Sequence, residues 1–414
     1  MPIFHLPQTT QKIVIKHFIK KNTMRFALYL LLLDKQKRKE QSPPFMTMMD
    51  DDGKRCRDCQ IPHAALQSPK ESSFVTLFES GDDQALITLT GFDHATFQEL
   101  HTLFAPVFNA FTPFSWGAGG SYLKVNPGKK SGDHPQSIAG IAGLLAIVLS
   151  WSCTQDAARV QWMMFGVIGS TLSDWLHFGQ CCLNIVLYDN EHAKIEMGSD
   201  GKIGFWKGAI AAKYPDLNNV YLAVDGLKIQ LQKPGDDRVQ NYFYNSWTSD
   251  HYVSTLFAFA PDGTISACVL DAPGSLHDST VANFGGLYTL LTDVYDRNGG
   301  KVVMDSAFAR AEYNFIIKSG QEVWFDLGEN AAWQNQQATS ARQYSEWEMH
   351  SLQGSFPRLH DRFRYEETGE RKTMLLTIVL LYNIKANKVG LNQILNTHVP
   401  ALSKDANCYL QQII

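Results

Sequence analysis

No apolar run in this sequence is long enough to cross a bilayer. Phe26–Leu33 and Ile138–Ser150 both fall short of the roughly 20 residues that a span needs, so no membrane partner is expected. No small-residue cleavage site follows the first run, so there is no clear secretory signal, while an amphipathic or targeting role for residues 1–33 stays open. Charge of one sign is also lacking: the formal net charge is −4 over 414 residues, which gives no global mark of a nucleic-acid binder. Cysteine is sparse and odd in number, with seven residues. Cys56 and Cys59 form a single C-x-x-C with only His63 nearby, and no second pair stands at zinc-ligand spacing. The pattern suits a reducing compartment with free, mostly buried thiols. A serine-hydrolase reading through Ser275 or Ser306 with His277 lacks the G-x-S-x-G elbow. There is no internal repeat and no low-complexity tract.

What is present is enough apolar residue, 44%, against 19% charged, for a large core. The charge is uneven: residues 1–45 hold nine Lys/Arg, from Lys12 to Lys39, against Asp34 and Glu40. Such an arm on an acidic body reads as a nuclear address, a nucleic-acid contact or a poorly ordered tail. Residues 1–85, with Pro43-Pro44, Asp50–Asp52 and the Ser/Pro stretch 67–73, are expected to be arm and linker. A helical module is expected over 86–200. Asp93 is its first N-cap, with Phe97, Leu100, Leu103 and Phe104 on one face. Residues 115–136 read as a loop and Ile138–Ser150 as a buried helix. Thr154 caps a short helix to Met164, and after Gly166 the run Ser170–Leu176 opens a helix to Leu187. That is a helix-turn-helix spacing, although any helical bundle produces it.

From Tyr221 the period changes to two, and residues 201–414 read as an α/β domain. Tyr221–Val224 is a buried strand, Leu227–Leu231 a half-exposed one, and Tyr252–Ala260 and Thr264–Leu270 flank a Pro261-Asp262-Gly263 turn. A helix starts at Asp278, a strand spans Lys301–Met304, Val323–Phe325 is a further strand, and helices cover 340–359 and 371–389. Acids stand at two expected strand ends, Asp225 and Asp305, at a helix start, Asp278, and on a late helix, Glu346. Carboxylates without thiolate or imidazole company favour the hard cations Mg²⁺ or Mn²⁺, and two such ions can drive phosphodiester hydrolysis. Each acid also has a plain alternative. Asp225-Gly226 reads as a turn, Asp278 as an N-cap, Asp305-Ser306 as a cap after a strand and Glu346 as a solvated helix residue. Glu348 competes with Glu346 but points to roughly the opposite side of the helix. Lys228, Lys233, Arg238, Arg342, Arg358, Arg362 and Arg364 are candidate phosphate contacts or plain surface charges. Tyr242, Tyr244 and Trp247 are candidate base-stacking residues or core.

In order along the chain, Val224-Asp225-Gly226, Asn241-Tyr242 to His251, Asp262-Gly263, Pro273–Ser279, Met304–Phe308, Arg342–Trp347 and Leu352–Phe363 resemble the Harbinger/PIF-type DDE superfamily of transposase-derived endonucleases. So does the final helix with Asn383, and Met163–Gly179 resembles the helix-turn-helix that precedes the catalytic domain. The resemblance covers roughly residues 90–400. It implies an RNase H-like catalytic domain, a mixed β-sheet flanked by helices, after an α-helical helix-turn-helix-like DNA-binding module. It further implies Asp225, Asp305 and Glu346 as the catalytic triad, Asp278 as a further metal ligand, and two divalent cations. DNA would be the substrate, in the nucleus, with an accessory DNA-binding protein or a second copy of the chain as possible partners. The sequence departs from the family in reading Glu346-Trp347-Glu348-Met349-His350 where Glu-Trp-Gly-Met-Arg is usual, and Asp305-Ser306-Ala307-Phe308 where Ser-Gly-Tyr commonly follows the aspartate. The alternative is a domesticated, inactive transposase that binds DNA or protein.

Overall fold

The computed structural model describes residue 61 and residues 65–113, 123–125, 140–156, 158–308, 313–319, 329–366 and 368–389. The basic arm, the Cys56/Cys59 pair and the expected strand 323–325 lie outside them. The chain divides into two compact units, one of Met1–Trp151 with Asp156–Asp189, the other of Ser152–Gln155 with Asn190–Ile414.

Among the described residues the first unit is mostly helical. Its helices are α1 (Ser73–Ser80), α2 (Asp83–Thr90), α3 (His94–Ala110), α4 (Gly140–Cys153), α5 (Ala158–Phe165) and α6 (Gly169–Leu187), with a two-stranded antiparallel pair of β1 (Phe111–Pro113) and β2 (Leu123–Val125). Helical structure thus begins before residue 85, because Phe74 of α1 is buried against Phe165 and anchors this stretch to the unit. Asp93 caps α3 as its sequence predicts, accepting from the Thr96 N–H at 2.7 Å. Phe97, Leu100 and Phe104 are buried, whereas Leu103 is exposed. Phe108, Trp175 and Phe178 stack at the centre. Gly166 turns the chain between α5 and α6 at φ +65°, where a Cβ would stand 2.4 Å from the Gln67 carbonyl oxygen. The helix–turn–helix spacing is therefore present. However, α6 is buried throughout Phe178–Leu187 and carries no lysine or arginine, which leaves it little to offer a phosphate backbone.

The second unit is built on a mixed sheet. After α7 (Asp200–Lys213) come β3 (Val220–Gln230), α8 (Asp237–Phe243), β4 (Tyr244–Asn245), β5 (Asp250–Phe259), β6 (Ile265–Pro273), α9 (Asp278–Phe284), α10 (Leu287–Asn298), β7 (Lys301–Met304), β8 (Ile316–Lys318), α11 (Glu329–Ser355) and α12 (Thr368–Ile384). β3 is central. On one side β5 pairs with it antiparallel, with β6 beyond and the short β4 alongside; on the other, β7 and then β8 run parallel to it. β3 is one continuous strand, so Asp225 lies in mid-strand rather than at a strand end, and Asp225-Gly226 is no turn. The local signal misleads here because glycine and aspartate are poor strand formers; pairing on both sides, Asp225 with Phe257 and Val224 with Met304, overrides it. The β5–β6 turn is as expected, with Gly263 at φ +81° and Asp262 accepting from the Thr264 N–H at 3.0 Å. Asp262 also accepts from the Trp206 indole at 3.0 Å, which ties α7 to the sheet. Trp206, Tyr221, Leu222, Val224, Leu256, Val302 and Met304 pack into one core with α9 and α10 residues.

Candidate active site

Asp225 is half-buried in the middle of β3, and Asp305 follows the last residue of β7. Since Val224 pairs with Met304 in the parallel register, the next residues on the two strands, Asp225 and Asp305, are neighbours; adjacent strands lie about 4.8 Å apart. The Gly226 N–H donates to Asp225 Oδ1 at 2.8 Å. Burial pushes the Asp225 carboxyl above its usual value, and repulsion from Asp305 and Glu346 adds to this, while the Gly226 N–H and Arg342 act in the opposite sense. Asp305 accepts from the Ser306 N–H and, at 3.1 Å, from the Ser306 hydroxyl.

α11 brings the third acid. Arg342 and Glu346, four residues apart, lie on one face of the helix and are joined by an ion pair at 2.8 Å. The same guanidinium stands 4.0 Å from Asp305 Oδ2. Arg342 is thus a cation shared by Glu346 and Asp305, and its charge is felt at Asp225. Asp278 comes from a different direction. It sits at the first position of α9, and His277 occupies the N-cap without a side-chain cap bond. Its carboxylate lies against Gly226, where a Cβ would come within 3.3 Å of Asp278 Oδ2. Burial raises the Asp278 carboxyl, Lys228 and His277 oppose this, and Asp305 adds repulsion. Asp305 is therefore felt at both Asp225 and Asp278, and Glu346 at Asp225, although the four acids lie far apart along the chain. Asp305 and Glu346 keep more than two-fifths of their side-chain surface open to solvent.

Among the described residues, no three His, Cys, Asp or Glu side chains close on a single point as a metal cage. The chemistry of the donor set nonetheless suits a hard divalent cation. It is made of carboxylate oxygens that repel one another, with a single arginine among them.

Several other candidates separate cleanly. Arg358 is buried in an ion pair with Asp361 at 2.6 Å, so it is not a free phosphate contact. Glu348 is buried and accepts from the Tyr382 hydroxyl, far from the solvent-facing side of α11. Tyr242, Tyr244 and Trp247 are exposed rather than core. Asn383 is buried and takes a structural part: its Oδ1 accepts from the Ile265 N–H at 2.8 Å, while Nδ2 donates to the carbonyls of Ile265, Lys194 and Ala193. A pair that the sequence reading missed is Asp271 with Arg371, nearly inaccessible to solvent, in which Arg371 Nη2 donates to Asp271 Oδ2 at 3.2 Å. No local signal marks it, because the partners lie 100 residues apart.

A family model described as a DDE superfamily endonuclease matches residues 224–383. The match starts one residue before Asp225 and ends on Asn383, and so contains all four acids. No match was found among curated proteins or among solved structures. Residues 224–383 are thus similar to a DDE superfamily endonuclease domain, and the mixed sheet flanked by helices is the RNase H-like fold that this family implies.

Proposed function

We propose that this DDE endonuclease domain is a divalent-metal-dependent DNA nuclease of the Harbinger transposase type, in which Asp225, Asp305 and Glu346 are the catalytic acids and Asp278 is a further ligand. One observation carries the reading: on adjacent parallel strands Asp225 and Asp305 are neighbours, with Glu346 close enough to Asp225 to repel it. A protein gains nothing in stability from bringing like charges together in a half-buried place. Their convergence is explained if cations are drawn there with the substrate.

Asp225 and Asp305 would share the ions, with Glu346 and Asp278 completing their surroundings. When bound, a pair of such ions turns a water into a nucleophile and stabilises the leaving oxygen of a phosphodiester. The chain itself does the positioning. β3 and β7 hold the two aspartates in register, the Gly226 N–H orients the Asp225 carboxylate, and Ser306 orients that of Asp305. Arg342 places a forked donor at the edge of the cluster, a geometry suited to a phosphate oxygen pair. Lys228, whose charge is felt at Asp278, adds a second cation on the other side. In a transposase the 3′-hydroxyl freed by cleavage would then attack target DNA. The absence of Lys/Arg from α6 favours help from an accessory DNA-binding protein in finding the site, and the basic segment 12–39 suits a nuclear address.

The test is nicking of supercoiled plasmid in Mn²⁺ by the full chain. The wild type should nick, and Asp225→Asn should lose about a thousandfold or more of the rate. Equal nicking by the two proteins refutes the assignment. If neither nicks while both bind DNA, the inactive binding factor is the better description.

A further inference from the structure

Three exposed aromatics of the second unit, Tyr242, Tyr244 and Trp247, lie within six residues of one another, from the end of α8 to the turn between β4 and β5. Tyr242 is 59% exposed, Tyr244 37% and Trp247 91%, and Trp247 is the most exposed large apolar side chain among the described residues. Nothing around it hides it: Asn245, Ser246, Thr248, Ser249 and Asp250 are all polar. Its position is nonetheless built. Asn245 Oδ1 accepts from the N–H groups of Trp247 at 3.2 Å and Thr248 at 3.3 Å and from the Thr248 hydroxyl at 3.3 Å. Ser249 takes a left-handed conformation at φ 55°, closing the turn between β4 and β5. An indole held into water on a specified turn is a costly arrangement for the folded chain alone.

The loop is also coupled to the acid site. Asn245 Nδ2 donates to the Gly274 carbonyl at 2.9 Å, and the Ser275 hydroxyl donates to the Tyr242 carbonyl at 2.8 Å. A Cβ on Gly274 would stand 2.2 Å from the Tyr252 carbonyl oxygen, so the two backbones are in direct contact. Gly274 lies four residues before Asp278. The aromatic loop and the strand-to-helix connection that delivers Asp278 are thus joined by hydrogen bonds and backbone contact. Cations flank it: Arg362 reaches Asp250 at 3.0 Å with its side chain 56% exposed, and Arg238 lies four residues before Tyr242 on α8.

We propose that Trp247 stacks on an unpaired base of the DNA strand held at the acid site, with Arg238 and Arg362 against the flanking phosphates. This rests on the nuclease reading above. The polar surround argues for a base rather than a protein partner. A protein contact buries its aromatic anchor within apolar neighbours, whereas an exposed indole on a polar turn whose Asp250 holds the Arg362 guanidinium matches a base and its backbone.

The experiment measures binding of the full chain, without divalent metal, to a duplex with a central unpaired bubble and to the same duplex fully paired. A 2-aminopurine in the bubble reports stacking. The wild type should prefer the bubble and change the 2-aminopurine emission. Trp247→Ala should bind the bubble roughly tenfold more weakly, abolish the emission change and leave paired-duplex binding unaltered, with Trp247→Phe in between. Wild-type and Trp247→Ala proteins that bind the bubble equally overturn the proposal while leaving the nuclease reading intact. Equal loss on both DNAs also overturns it, since it removes the selectivity for unpaired bases. A wild type that binds neither DNA overturns the stacking proposal, while the nuclease reading is still decided by plasmid nicking in Mn²⁺.

Discussion

Two carboxylates on α11, Glu346 and Glu348, are two residues apart and lead opposite lives. Glu346 faces the acid cluster, partly solvated, and shares Arg342 with Asp305. Glu348 is sealed in the core, where it accepts from Tyr382 and leaves Oε1 without a hydrogen-bond partner; its carboxyl is pushed up to about 8, chiefly by burial. The same contrast runs through the domain. Behind the sheet, a buried charge has a dedicated partner: Asp271 has Arg371, which also donates to the Arg364 carbonyl at 2.6 Å. In front, Asp225, Asp278, Asp305 and Glu346 have each other and too few cations. The buried Asp271 is neutralised by one dedicated arginine, whereas the clustered acids share Arg342 and repel one another.

That contrast can be broken most forcefully at its rear side. Arg371→Ala strands Asp271 as an uncompensated buried charge and should cost roughly 3–5 kcal/mol in urea unfolding; a cost below about 1 kcal/mol would mean that the rear pair is no more a support than the front acids are. A second, pH-dependent effect comes from Glu348. Its folded value lies above the usual 4.5, so its contribution to stability is fully present below that value and is lost as pH rises toward about 8, by up to about 1.4 kcal/mol per pH unit. Glu348→Gln cannot ionise and should flatten the fall in unfolding free energy over this window. An unchanged slope would place the titration elsewhere. The smallest effect sharpens the front side. Removing one charge of the repelling set with Asp225→Asn should stabilise the metal-free protein by on the order of 1 kcal/mol, read as a small rise in thermal midpoint. A destabilised variant would show that the acid cluster supports the fold after all.

Glu348 also explains a departure from the family pattern. The pattern that the sequence resembles reads glycine at this position, two residues from the proposed catalytic acid Glu346. In the fold its side chain turns away from Glu346 into a core site where the Tyr382 hydroxyl receives it. The substitution therefore leaves the acid cluster unaltered.

Much of this protein was legible along the chain. The alternation from Tyr221, the Pro261-Asp262-Gly263 turn, the apolar helices and the order of Asp225, Asp278, Asp305 and Glu346 are local patterns, set by backbone preference and side-chain periodicity. What could not be read were the pairings. Gly226 resembles a turn until β5 and β7 hydrogen-bond on either side of it, and the three-residue β8 is too short to carry a period. Arg358 looks like any exposed arginine until Asp361 and burial claim it. The sequence by itself determined which acids, in which order, a metal-using nuclease could draw upon. Only the tertiary structure decided that Asp225 and Asp305 stand side by side, that Arg342 lies among them and that Glu348 is turned inward, because strand register and helix facing are settled by contacts between residues far apart in the chain.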